Sequence, residues 1–240
     1  MTHLTVQVVR RLGRTLLKNS READELLAFC LNIPFSAIHF SDQTMPQQAW
    51  EIYRALIQRR IEGEPVQQIL GYVDFLGCRI TLTQDVLIPR QETELLADDV
   101  VQFLKKKSDS QKILVDVCTG SGCLAIALKK AVPSLHVIGI DISSKALALA
   151  QKNALDNQVD IEFLQGDFLN PLKGRSVDFL ISNPPYVSEK EYDDLDLSVR
   201  CYEPKIALVS GPTGLEFYQR LKKECSAILN RPGYIFLEIG

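Results

Sequence analysis

The chain has 240 residues, room for one large domain or for a small domain beside a larger one. Its composition, 46% hydrophobic and 24% charged, is that of a soluble globular protein, and a net charge of −3 offers no bulk attraction to nucleic acid or an anionic membrane. No apolar run approaches the roughly 20 residues that span a bilayer and no leader pattern opens the sequence, so a cytoplasmic protein is expected.

Residues 3 to about 70 carry helical periodicity and almost no strand signal. In "PQQAWEIYRALIQRRIEGEP", Trp50, Tyr53, Leu56, Ile57 and Ile61 recur at three- and four-residue steps, and Gly63 and Pro65 end the run. "YVDFLGCRITLT" reads as two short strands around Gly77. "IPRQETELLADDVVQFLKKK" opens a helix with Glu92 and Glu94 in its first turn and Lys105, Lys106 and Lys107 at its end, matching the helix dipole at both termini. A short loop, 108–111, follows.

From Lys112 the pattern turns to strand and helix in alternation. "KILVDVC", "HVIGID", "IEFLQGD", "SVDFLIS" and "GYIFLEI" are apolar strands, separated by helices such as "LAIALKKAV", "SSKALALAQKNALDN" and "GLEFYQRLKKECSAIL". This predicts an α/β fold with an open, doubly wound parallel sheet and a small helical module in front of it. The expected division is a helical domain over 1–70, a hairpin connector over 71–90 and the α/β domain over 91–240. The six cysteines show no CxxC spacing and no neighbouring His, so neither a metal site nor a disulfide framework is expected.

Chemistry-bearing residues fall at the strand ends. The turn after the first sheet strand, "DVCTGSGCLA", places Gly120, Gly122 and Ala125 in a GxGxxA pattern that also suits any tight strand-to-helix turn. Asp141 ends the next strand, where an acid accepts hydrogen bonds from ribose hydroxyls or caps the following helix. Asp167 and Phe168 end the third, suited to an exocyclic adenine amine and its base, or to a polar loop start before a core Phe. A nucleoside cofactor is implied, either a nicotinamide dinucleotide or S-adenosylmethionine. Asp116, an acid just before the loop, disfavours a pyrophosphate and suits an ammonium.

"ISNPPYV", residues 181–187, decides between them. Pro184 fixes its own φ, Pro185 restricts the ψ of Pro184, and neither carries an N–H. The side chain of Asn183 and the carbonyl of Pro184 then form a rigid pair of acceptors for a planar –NH2 group, with the Tyr186 ring beside it. Holding both hydrogens aims a delocalised nitrogen lone pair at an electrophilic methyl group, which is catalysis by orientation. Asn183, Pro184 and Tyr186 are the expected catalytic residues, with S-adenosylmethionine as donor.

With "DVCTGSG", "ISNPPYV", "IPRQETELL", "RRIEGEPVQQILGY" and "VRCYEPKIAL", the chain resembles the HemK-type glutamine methyltransferases from about residue 21 to 240. That resemblance implies a Rossmann-like class I methyltransferase sheet and methylation of the glutamine nitrogen in the Gly-Gly-Gln motif of peptide chain release factors. It implies cofactor contacts at Cys118, Thr119, Gly120, Ser121, Gly122, Asp141, Phe168 and Asn183. Substrate contacts would fall at Asn183, Pro184, Pro185 and Tyr186. Arg90, Glu92 and Thr93 are second-rank candidates, and the helical module would dock the release factor. A monomer that needs neither membrane nor nucleic acid is expected. Ribosomal-protein glutamine methylation is the nearest alternative, DNA adenine-N6 methylation a further one. Cys118 stands where the family commonly has Gly, which suits a position without positive φ. The family continues beyond a fifth strand with a helix and an antiparallel hairpin, so the final antiparallel strands are expected to be missing after Gly240.

Overall fold

The computed structural model describes residues 4–107 and 112–240, and the loop expected at 108–111 lies outside the described residues. The chain divides into two compact units, one up to Gly71 and one from Tyr72.

The first unit is helical: α1 (Val6–Leu17), α2 (Ser20–Leu31), α3 (Gln47–Ile61) and α4 (Val66–Leu70). The side chains of Thr5 and Asn19 accept backbone N–H groups at the starts of α1 and α2, which is why those helices begin there. Tyr53, Leu56 and Ile57 are buried as the periodicity of α3 requires, against Val6, Val9, Leu26 and Leu27, whereas Ile61 is exposed. Gly13 lets α1 approach α3: a Cβ there would lie 1.8 Å from the hydroxyl of Tyr53. Asp24 is 2% exposed and accepts hydrogen bonds of 2.6–3.0 Å from the guanidiniums of Arg10 and Arg14. Burial pushes its carboxyl up, but the bonds from Arg14 and Arg10 outweigh that and hold it below the usual range.

The second unit runs β1 (Tyr72–Phe75), β2 (Cys78–Thr81), α5 (Gln91–Lys106), β3 (Ile113–Val117), α6 (Cys123–Ala131), β4 (His136–Asp141), α7 (Ser144–Asp156), β5 (Glu162–Gln165), β6 (Val177–Ser182), β7 (Val187–Ser188), α8 (Glu189–Tyr192), α9 (Leu197–Tyr202), β8 (Val209–Gly211), α10 (Glu216–Glu224) and β9 (Leu229–Leu237). Five strands form one sheet in the order β5-β4-β3-β6-β9, every pair parallel. β3 and β6 are central and buried on both faces, which explains their near-continuous apolar runs, broken only by Asp116 in β3 and by Asp178 and the final Ser182 in β6. α5, α6 and α7 cover one face through Leu114, Val137, Phe179 and Ile181. α10 and the turn holding Leu169 and Leu172 cover the other through Val115, Ile138, Ile140 and Leu180.

The β1–β2 hairpin turns through Leu76 and Gly77, both at positive φ, and buries Phe75, Cys78 and Ile80 in the core shared with α5 and α6. It belongs to the second unit. β9 starts at Leu229, four residues before the expected Gly233, and forms a sheet edge; the sheet holds no antiparallel pair among the described residues. The short parallel pair β7–β8 and the helices α8 and α9 carry no strong sequence signal. No helix among the described residues is long and apolar enough to cross a membrane.

Candidate active site

The C-terminal ends of β3, β4, β5 and β6 open on a cavity of about 340 Å³, where open parallel sheets bind ligands. β3 leaves through Cys118, Gly120 and Gly122, at φ values of 63°, 54° and 82°. Alternating left-handed residues coil the loop tightly, with the Thr119 N–H donating to Ile140 O and the Gly122 N–H to Thr119 O. Cys118 thus has the positive φ that its residue type argued against, at a cost of about 1 kcal/mol. Gly122 also meets a packing demand, since a Cβ there would lie 3.1 Å from Ala150 Cβ on α7.

Asp141 clamps two loops. Its Oδ2 accepts the Gly120 N–H and its Oδ1 the Ser143 N–H, both at 2.9 Å, while Ser143 itself caps α7. Burial raises its carboxyl pKa; the N–H groups of Ser143, Gly120 and Ile142 oppose the rise. Asp116 is fully buried, and its Oδ2 accepts from the Thr119 hydroxyl and the Ala125 N–H. Its other oxygen has no partner, and burial pushes the pKa up to about 7.

Cys118, Thr119, Gly120, Ser121 and Asp141 line the cavity, as do Asp167, Phe168, Asn183 and Pro185. Asp116, Gly122, Pro184 and Tyr186 stand outside that lining. Asp116 and Gly122 support the loop from beneath, Pro184 is buried, and the Tyr186 ring lies against Gly240, where a Cβ would come within 2.5 Å of it. Just past β5, Asp167 accepts a 2.7 Å hydrogen bond from Arg220, and Phe168, at φ 57°, packs edge-to-face on Phe217 with Arg220 4.7 Å over its ring. The free aromatic face expected beside a free acid is therefore partly occupied, because α10 brings Phe217 and Arg220 into the same wall.

Asn183 projects from the end of β6. Its Nδ2 donates to Thr93 Oγ1 at 2.9 Å, and the Thr93 hydroxyl donates to Glu238 Oε2 at 2.6 Å. Sequence reasoning missed Glu238, which reads as part of an apolar strand, and Glu203, whose oxygens accept from the Ile88 N–H and from Arg90. That pair fixes the 86–89 segment along the cavity wall; its trace in the sequence is the joint presence of "IPRQET" and "VRCYEP". Asn153 was missed too: it bonds Thr81 N, Thr81 O and Ser121 O, tying the hairpin and the glycine loop to α7.

Residues 92–199 match the methyltransferase small domain family and residues 7–71 the PrmC N-terminal domain family. A release factor glutamine methyltransferase from Thermodesulfovibrio yellowstonii is 36% identical over 97% of this chain and 84% of its own length. One from Chlamydia trachomatis serovar L2 is 39% identical over 95% of this chain and 78% of its own. The chain belongs to the release factor glutamine methyltransferase family. Among solved structures, a ribosomal protein L11 methylase from Lactobacillus delbrueckii subsp. bulgaricus shares 22% identity over 62% of this chain and 60% of that one, with a TM-score of 0.43.

The cofactor of this glutamine methyltransferase family member is S-adenosylmethionine, and the cavity residues fit it. Asp141 places a carboxylate at the end of β4, where ribose hydroxyls donate. Ile140, Phe168 and Phe217 give apolar walls for a base. In the cavity wall Glu216 Oε2 is buried without a hydrogen-bond partner among the described residues, and it suits an amine donor on the ligand.

Proposed function

We propose that the chain methylates the side-chain nitrogen of the glutamine in the Gly-Gly-Gln motif of peptide chain release factors. Bound S-adenosylmethionine supplies an electrophilic methyl group on a sulfonium. The carrying observation is Asn183: at the cavity wall its Nδ2 is committed to Thr93, which leaves Oδ1 as the acceptor for a substrate amide. The Pro184 carbonyl, held by its proline neighbour, is the second acceptor. Together they orient the glutamine –NH2 and favour its pyramidal geometry as positive charge develops; Pro185 flanks it at the cavity wall, and Tyr186, its ring against Gly240, backs the loop from outside that lining. The proton leaves after transfer, so no buried base is needed.

Asp116, the 118–122 loop, Asp141, Asp167 and Phe168 serve the cofactor in this reading. The helical unit docks the release factor, in line with its match to the PrmC N-terminal domain family. In this reading the protein is a cytoplasmic monomer that needs no nucleic acid, and a net charge of −3 supports the last of these. The test is incubation with labelled S-adenosylmethionine and, separately, a release factor, ribosomal proteins and an adenine-containing oligonucleotide. Label enters the release factor alone; uptake by either other substrate with none by the release factor overturns the proposal.

A further inference from the structure

The Asn183 amide has two orientations of equal shape, and only one presents an acceptor to the cavity. The choice falls to what lies behind the amide: Thr93, 1% exposed on α5, and Glu238, 9% exposed just past β9.

Burial raises the Glu238 carboxyl pKa, and hydrogen bonds from Thr93 and Asn183 oppose that rise by favouring the ionised form. With Glu238 ionised, the Thr93 hydroxyl spends its single proton on Oε2, 2.6 Å away. Its remaining lone pairs accept only from a donor, and the Asn183 Nδ2 meets one at 2.9 Å. A flipped amide would set its carbonyl oxygen against an oxygen with no hydrogen to give, a buried repulsion in place of a bond. Glu238 is anchored in turn by its backbone, whose N–H donates to Ser182 O and whose carbonyl accepts from the Tyr218 hydroxyl. We infer that Thr93 and Glu238 are positioning residues that lock the Asn183 amide with its oxygen toward the substrate nitrogen, so that α5 and the end of β9 set the acceptor geometry on β6.

This rests on the glutamine methyltransferase reading, and one set of proteins separates the two. Steady-state kinetics with a release factor and cofactor titration by calorimetry are run on wild type, Thr93→Val, Thr93→Ser, Glu238→Met and the Thr93→Val/Glu238→Met double variant. Thr93→Val keeps shape and loses the hydroxyl; kcat falls about 30-fold, with the S-adenosylmethionine Kd and the release-factor KM each within threefold of wild type. Thr93→Ser restores kcat to within about threefold of wild type, and the double variant is no slower than the slower single one, because the relay acts as a unit. If Thr93→Val does not fold, Glu238→Met against Thr93→Ser carries the same comparison. A wild type that methylates no glutamine overturns the functional reading. A wild type that turns over, with Thr93→Val or Glu238→Met within threefold of it or with additive losses in the double variant, overturns the relay alone.

Discussion

Cys118 shows how a single residue carries a cost that its neighbours conceal. Its φ of 63° is one a β-carbon resists, and it lies between a buried strand and two glycines that share the conformation. Cys118→Gly is expected to raise unfolding free energy by about 0.5–1 kcal/mol, read by chemical denaturation, because relief of strain outweighs the added freedom of the unfolded chain. Asp116 gives a pH signature. Burial raises its pKa from 3.8 to about 7, so the folded state keeps a proton that the unfolded state has lost. Its contribution to stability is fully present below about pH 4 and disappears as pH rises through about 7. The difference in unfolding free energy between wild type and Asp116→Asn should therefore move against wild type across that window; a flat difference would contradict the assignment. Such details were only partly legible. That acids and small residues end successive strands could be read from residue order, but the pairing of Asp167 with Arg220 depends on α10, 53 residues away. Tertiary placement of that kind leaves no local mark.

Elements were legible in proportion to their burial. β3, β4 and β6 could be placed to within a residue because strands covered on both faces must be largely apolar. β9 was misjudged at its start, since "LNRP" at an edge carries no such constraint, and β7, α8, α9 and β8 are too short to develop periodicity. Asn153 stayed hidden inside α7, where a lone Asn looks like an indifferent helix residue, yet it is fully buried and holds three backbone groups from two other segments. Asn153→Ala strands those groups and should cost about 3 kcal/mol in unfolding free energy, with weaker cofactor binding because Ser121 loses its tether; a cost below 1 kcal/mol would show the tether to be dispensable.

At the scale of the molecule, the cavity belongs to one of the two units alone. Every residue that lines the cavity lies in the second unit. The Arg10–Asp24–Arg14 cluster belongs to the first, and replacing Asp24 with Ala strands the buried Arg10 guanidinium while Arg14, a third exposed, turns to water, at a cost of about 2–3 kcal/mol. Thermal melting should show that loss while the S-adenosylmethionine Kd, measured below the melting range, stays unchanged. The two-part organisation was readable because periodicity changes from helical to alternating strand and helix along the chain.

The central claim is that Asn183 presents a substrate glutamine nitrogen to the methyl donor. Its most direct measurement is tandem mass spectrometry of a release factor treated with this protein and S-adenosylmethionine, beside the same reaction with Asn183→Ala. The account predicts one added methyl on the side-chain nitrogen of the Gly-Gly-Gln glutamine for the wild type and none for the variant. A methyl group elsewhere, or equal methylation by both proteins, would contradict it.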